Sequence, residues 1–530
     1  MPAKDSTVTA HPAGCALRTF EMVRRGSPAA LARALPAGLT LDWRPRRLVE
    51  RTYLDSHDWR LWGAGATLVV EAVGGTQTVI WRPARGGAVM VDGAPTPRLA
   101  ADLPEGTVRR EVQPLLGERA LLPLAALRVQ QRPGTVRDER GKIVARLGWE
   151  RSTPLDRTGE AAGPARTALL VEGVRGYEGS WRAIQVAWER LPFLKGAEQD
   201  ELALAAAARG RTPGDCSSRI QVPLTDDTPA AEATRLILRH LLETASANLL
   251  GAIDDVDPEF LHDLRVAVRR ARSALGQLAG SLDPARFARL REELRWLGGV
   301  TGPCRDLDVF LMDLEGYGDE LGEPARTHLA PLLDHLRRQR QRQHRELEAA
   351  LTSPRLRRLL ATWRRVTEPP RRPPATPEGQ QPAREYGAAR VQRAYRRLRR
   401  HARQLGPQAP AEGLHQLRID AKKLRYLLEF FAPLLGRPAA TLIRQLKELQ
   451  DALGTFNDLA VQQRKLADLL GEVLASGGAD AAAALAAGRL AALLEARGEA
   501  QRAAVWQRLD TFFAPEVRAE VAALGAGGGT

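Results

Sequence analysis

Cysteine is scarce: Cys15, Cys216 and Cys304 are the only three in 530 residues. Their wide spacing makes neither a disulfide framework nor a zinc pattern, so a reducing compartment is expected. Long apolar runs are missing too. No run of 18 apolar residues occurs, and the opening MPAKDSTVTAHPAG has no apolar signal core, so the expectation is a cytoplasmic protein without a membrane partner. Aromatic residues make up only 5%, which leaves few platforms on which nucleic-acid bases could stack.

Positive charge is what the chain has in excess. Lys and Arg total 78 against 63 Asp and Glu, a net +15 with a pI of about 10.4. An anion is therefore the expected partner, with nucleic acid, polyphosphate and an acidic membrane surface all open at this level. The excess is spread along the chain: residues 1–200 hold 29 basic and 22 acidic side chains, leaving 49 and 41 for the rest. A basic site must then come from placement on a surface rather than from a basic domain.

The chain is long enough for two to four domains. Residues 1–205 read as an α+β fold, an antiparallel sheet with helices that is either open or closed into a barrel. ATLVVEAV and GGTQTVIWRP read as strands about a Gly-Gly hairpin. LRVQQRPGTVRDERGKIVARLGWERS reads as two more about DERGK, and RTALLVEGVRG as another. SPAALARALPAG and GSWRAIQVAWERLP read as helices. Residues 206–228 read as a linker and 229–515 as all-α, in halves of about 229–366 and 385–515. A Pro-rich loop, 367–384, separates the halves, and 516–530 reads as a tail.

The halves repeat. HDLRVAVRRAR from His262 returns as HQLRIDAKKLR from His415, and GPCRDLDV at 302–309 returns as GTFNDLAV at 454–461. His262, Arg265, Arg269 and Arg272 share one helix face, as do His415, Arg418, Lys422 and Arg425. Arg270 and Lys423 sit beside these ladders. Apolar stripes run alongside: Leu264, Val268, Ala271 and Leu275 in one, Leu417, Ala421, Leu424 and Leu428 in the other. A third ladder, Arg390, Arg393, Arg397 and Arg400, lies in a segment with seven arginines and no acid between 390 and 403. Like charges at these spacings repel by a few tenths of a kcal/mol per pair, which a multivalent anion would relieve. Arginine suits phosphate because its planar fork donates two parallel hydrogen bonds. The ladders offer no nucleophile, metal cluster or Gly-rich loop, so they read as a binder with no catalytic residues. Asp306, Asp308 and Asp458 read first as helix caps, with orientation of the arginines as the alternative.

The paired phrases resemble the CHAD family, the conserved histidine α-helical domain, over roughly 225–515. The resemblance implies two pseudo-symmetric four-helix bundles, binding of inorganic polyphosphate and recruitment to polyphosphate granules. It implies His262, Arg265, Arg269, Arg272, His415, Arg418, Lys422 and Arg425 as the ligand set, with Arg270 and Lys423 as additions. The stretch RTYLDSHDWRLWGAGATLVVEAVGGTQTVIWRPARGG resembles, more faintly, the CYTH or triphosphate tunnel metalloenzyme family. That family folds as a cation-lined tunnel with glutamates holding Mg²⁺ or Mn²⁺. Here its acidic pairs are thinned to Glu21 and Glu172, Val69 and Glu71 replace tunnel cations, and Arg82 stands at best for a lysine. Glu21, Glu150 and Glu172 are the remnant candidates for a metal. The domain reads as degenerate, needing no cofactor, with Mg or Mn required only if it is active.

The expected function is polyphosphate binding. The alternative is a metal-dependent triphosphatase or polyphosphatase in the tunnel, with the helical domain delivering substrate. A nucleic-acid binder is the third reading, disfavoured by the lack of aromatic platforms on the ladders.

Overall fold

The computed structural model describes residues 8–10, 17–24, 26–85, 87–197, 200–217, 219–369, 376–406 and 409–524. Cys15 and residues 370–375 of the Pro-rich loop lie outside these, as do residues 525–530 of the expected tail. The chain divides into two units, Met1–Ser217 and Ser218–Thr530, so the boundary falls inside the expected linker.

The first unit is built on one antiparallel sheet. Its strands are β1 (Val8–Ala10), β2 (Leu17–Met22), β3 (Thr40–Trp43), β4 (Arg47–Asp55), β5 (Thr67–Val73) and β6 (Thr76–Arg82), followed by β7 (Val89–Asp92), β8 (Leu122–Arg137), β9 (Ile143–Pro154), β10 (Arg166–Gly173) and β11 (Leu194–Gly196). They run in the order β1-β7-β6-β5-β4-β8-β9-β10-β2-β11, with β3 added on β8. The hairpin expected at Gly74 and Gly75 joins β5 to β6, and both glycines take positive φ, 56° and 86°.

Closure into a barrel is not seen among the described residues. The described path ends on β1 and β11, and the described strand pairs include none between these two. Among the described residues five α-helices join the sheet: α1 (Pro28–Arg33), α2 (Arg60–Gly63), α3 (Thr107–Leu116), α4 (Glu178–Glu189) and α5 (Glu201–Ala207). α1 and α4 are the two expected from sequence, and Ser27 caps α1 as the Ser-Pro start predicts. α4 buries Trp181, Ile184 and Trp188 against Phe20, Val144, Leu169 and Val171. α5 buries Leu202, Ala205 and Ala206 against Val49, Val69 and Val129.

The named elements described in the second unit are all helices. α6 (Ala230–Ile253), α7 (Pro258–Gln277), α8 (Pro284–Val300), α9 (Gly302–Leu321) and α10 (Ala325–Leu351) form the first half. α11 (Pro354–Val366) and α12 (Pro377–Gln380) follow, and then α13 (Ala383–Gln404), α14 (Ala411–Ala475), α15 (Ala481–Phe512) and α16 (Pro515–Ala523). The repeat is visible in element order. α14 spans the counterparts of α7, α8 and α9, and bends at Gly436, whose φ of 64° falls where α7 gives way to α8. Both apolar stripes are buried, with no member more than 2% exposed. The halves are not separate in their cores. Phe310 and Leu314 of α9 and Leu329 and Leu336 of α10 share a cluster with Leu466 and Leu469 of α14 and Leu490 and Leu494 of α15.

Two further expectations need correction. Residues 515–523 are helix α16, not tail: Val517 and Val521 are buried, and Gln392 of α13 donates to the Val521 and Ala522 carbonyls. The Pro-rich loop contains the short α12, capped by Thr376.

Gly251 of α6 lies under Phe260 of α7, so close that an added Cβ would sit 2.3 Å from the ring. Alanine would gain about 0.5–1 kcal/mol of helix propensity, but forcing the ring aside costs about 1–3 kcal/mol. Gly251→Ala should therefore lower the urea midpoint of the helical unit; a raised midpoint would show that the ring moves freely.

Candidate functional site

The ladders stand on α7 and the first part of α14. Asp257 fixes the start of α7 by accepting from the Glu259 and Phe260 amides at 2.9 and 3.2 Å, with Pro258 at the first helical position. Burial of the apolar stripes then sets the cations on the flank of each helix.

Each half builds the same contact. Arg265 Nη2 lies 3.8 Å from Asp306, and Arg418 Nη2 lies 3.3 Å from Asp458. The guanidinium of Arg265 passes over Gly302, where a Cβ would stand 3.1 Å from Nη1, and Arg418 passes over the matching Gly454 at 3.8 Å. Asp306 is in the second turn of α9 and Asp458 is deep within α14, so neither caps a helix. They stand as ion-pair partners of the arginines, which is nearer to the alternative of the two readings. Asp308 is buried and binds Arg340 of α10 at 2.8 Å, a separate interaction.

The two ladders meet. Arg269 of α7 donates to the Tyr426 hydroxyl of α14 at 2.8 Å, and Gln277 donates to the Lys423 carbonyl at 3.1 Å. Lys422 is half-buried in this seam. Burial first, then Arg418, Arg269 and Arg425, pull its pKa down to about 7, with Asp458 opposing. Burial also lowers Arg265; Asp306 offsets part of this, while Arg269 and Arg305 add to it. His415 is exposed, and its Nδ1 pairs with Asn457 Oδ1 at 2.7 Å. Asn457 in turn donates to Asp458, the partner of Arg418, at 3.2 Å. This leaves the outer edge of the imidazole facing solvent. His262 is half-buried in the matching place on α7.

Other ladder members are engaged differently. Arg270 donates to Glu429 at 2.8 Å, and Arg425 lies 3.1 Å from the same carboxylate. Arg272 is exposed and lies across Gly298, where a Cβ would meet its Nη1 at 2.8 Å. Lys423 is half-buried. The third ladder reaches the second at one place among its described contacts, through Asp420 of α14, which lies between Arg418 and Lys422. Arg390 pairs with Glu378, Arg397 lies 3.3 Å from Asp420, and Arg393 and Arg400 are exposed on α13. Tyr426, Glu429 and Asn457 were missed at the level of sequence; Glu429 could have been found as the acid four residues after Arg425.

The sheet unit holds a second cluster, beside a cavity of about 680 Å³. Arg51 of β4, 5% exposed, is ringed by carboxylates. It meets Glu150 of β9 through two parallel contacts at 3.0 and 3.1 Å, Glu71 of β5 at 2.7 Å and Glu201 of α5 at 2.8 Å. Burial lowers the Arg51 pKa, but Glu150 and Glu201 outweigh it and raise it well above the ordinary value. Burial likewise raises Glu201, yet Arg51, Tyr53 and Ser152 hold it below the ordinary range.

Of the three remnant glutamates, Glu150 is in this cluster. Glu21 lines the cavity but lies 3.4 Å from Arg166, and Glu172 is not among the lining residues. Glu201 escaped the sequence reading; its signal was Asp200, which caps α5 by accepting from the Leu202 amide at 3.0 Å. The residues present do not fit a divalent ion. Their carboxylates converge on a guanidinium, and no group of three or more His, Cys, Asp or Glu side chains among the described residues is arranged to hold a metal.

Residues 236–467 match the family profile of the CHAD domain. A Mycobacterium tuberculosis protein, described as uncharacterized protein MT2285, is 30% identical over 276 residues, 50% of this chain and 49% of its own length. The chain spans about half the length of the curated relatives it matches. The crystal structure of the CHAD domain from the plant Ricinus communis aligns at 29% identity and a TM-score of 0.45, covering 55% of this chain and 95% of that one. A putative adenylate cyclase from Bacillus halodurans aligns at 14% identity and a TM-score of 0.25, over 35% of this chain and 93% of that one. No helix among the described residues is long and apolar enough to cross a membrane.

Removing Arg51 leaves three carboxylates facing one another with little exposure. Arg51→Ala should destabilise the sheet unit by about 3–5 kcal/mol, read as a lower denaturant midpoint for that unit. A loss below about 1 kcal/mol would mean that the cluster is as well solvated as a surface ion pair.

Proposed function

We propose that the helical unit, which carries a CHAD domain over residues 236–467, binds inorganic polyphosphate along the seam where the α7 and α14 ladders meet. One observation carries the reading. Arg269, Arg418 and Arg425 surround Lys422, and burial first and then these three neighbours bring its pKa down to about 7. Such crowding stores repulsion that a chain of phosphates would release. Arg265 and Arg418, each aligned by its aspartate, would supply planar forks, and His262 and His415 hydrogen bonds at the outer ends. Arg270, Arg272, Lys423 and the α13 arginines would extend the path. Polyphosphate carries no bases, so a site of cations without stacking aromatics suits it. Many weak contacts along one polymer would add through effective concentration. On this reading the two halves act as paired four-helix bundles about the seam, and the protein gathers on polyphosphate granules. The sheet unit is read as a degenerate CYTH-like domain with a tunnel-like cavity.

A titration with polyphosphate at two salt concentrations tests the grip. The quadruple variant Arg265→Ala, Arg269→Ala, Arg418→Ala, Lys422→Ala should bind far more weakly, and its log–log salt slope should fall by about 3. Single-stranded DNA should compete poorly with the wild type. Unchanged binding in a folded variant, or equal affinity for DNA, would reject the reading.

Binding should also depend on pH through Lys422. Arg418, Arg269, Arg425 and Asp458 are the charged groups that act on it. Below about pH 7 it is already protonated in the free protein, and affinity is at its full value. Above that, the anion must restore the proton, so affinity should fall by up to about tenfold per pH unit until the bound-state pKa is passed. Calorimetry in buffers of different ionisation enthalpy should show proton uptake at pH 8, and Lys422→Arg should abolish it. Uptake of the same size in that variant would place the titrating group elsewhere.

A further inference from the structure

We infer that Arg51 is a built-in cation standing where a divalent ion would otherwise be gathered, so the cavity beside it recruits no metal. The inference is independent of the polyphosphate reading of the helical unit. Glu150 Oε2 and Glu201 Oε2 approach the same nitrogen, Arg51 Nη1, at 3.0 and 2.8 Å. Two carboxylates from a strand and a helix thus point at one place, and Glu71 closes on Nε of the same guanidinium at 2.7 Å. A hard cation needs several oxygens around one point, and here two carboxylates meet at Nη1 while the third lies at Nε, so the acids are gathered around the guanidinium. Here the convergence is satisfied by the chain itself.

The remaining lone pairs are largely spoken for. Tyr53 donates to Glu201 Oε2 and Ser152 to Glu201 Oε1, each at 2.8 Å, while Gln131 donates to Glu150 Oε1 at 2.6 Å. Metal could enter only by expelling a guanidinium that is 5% exposed, or by sitting against it. Two like charges in a poorly solvated site repel strongly, which excludes the second route. The other acids lining the cavity are occupied as well: Glu21 faces Arg166, and Asp200 caps α5.

The test is Mn²⁺ binding to the full chain, followed by electron paramagnetic resonance of the free ion and by the melting temperature of the sheet unit. Wild type should show no bound Mn²⁺ that Glu201→Gln removes, and its melting temperature should not respond to the metal. Arg51→Ala should bind one Mn²⁺ at least about tenfold more tightly than wild type, and the metal should raise its melting temperature. Adding Glu150→Gln to that variant should remove both gains. A Glu201-dependent Mn²⁺ in wild type would overturn the inference, as would a folded Arg51→Ala that gains no site. If Arg51→Ala does not fold, the comparison of wild type with Glu201→Gln still decides it.

Discussion

Cations held close together on the edge of an apolar seam are the constraint that organises the helical unit. A lysine and three arginines do not gather unless something stronger holds the helices that carry them. That something is the pair of buried stripes, Leu264 to Leu275 on α7 and Leu417 to Leu428 on α14, none more than 2% exposed. Burying one such leucine contributes about 1.5–3 kcal/mol, against a few tenths for each like-charge pair. The core therefore wins, and the repulsion remains as a standing bias toward any anion that can span the seam. Asp306, Asp458 and Glu429 reduce that bias without removing it, and each is the ion-pair partner of a guanidinium.

What could be read from the sequence follows from what is periodic. The stripes and ladders recur at helical spacing, so their faces were legible without any tertiary information. The repeat was legible because it preserves order as well as residue type. The caps at Ser27, the Gly-Gly hairpin and the paired strands β8 and β9 were legible because turns have local chemistry. Contacts between distant segments were not. Asp306 and Asp458 follow a glycine in each half, which looks like a helix start; only the packing of α9 and α14 beside the ladders turns them into partners of arginine. The end of the chain misled for another reason. Its glycines begin only after residue 524, and Val517 and Val521 already form the buried face of α16.

The sheet unit makes a sharper case. Counting acids at expected positions suggested a site with too few carboxylates. The fold supplies three, Glu71, Glu150 and Glu201, of which only Glu150 was a candidate. Glu201 belongs to a helix whose place is set by Leu202, Ala205 and Ala206 packing on Val49, Val69 and Val129. No linear pattern ties that helix to Arg51, which lies 150 residues earlier.

The two units therefore handle charge in opposite ways. In the helical unit cations outnumber the acids that reach them, and the imbalance is left open along a seam. In the sheet unit one guanidinium meets three carboxylates, with a hydroxyl of Tyr53, one of Ser152 and the amide of Gln131 supplying the remaining donors. An open imbalance at a half-exposed surface is a device for holding a counter-charge, because the free state is the strained one. A closed network in a buried place has its desolvation already met by internal partners, and a further ion gains nothing by entering. On the proposed reading, the seam is where this chain would receive an anion, and the Arg51 cluster is where it would refuse a cation.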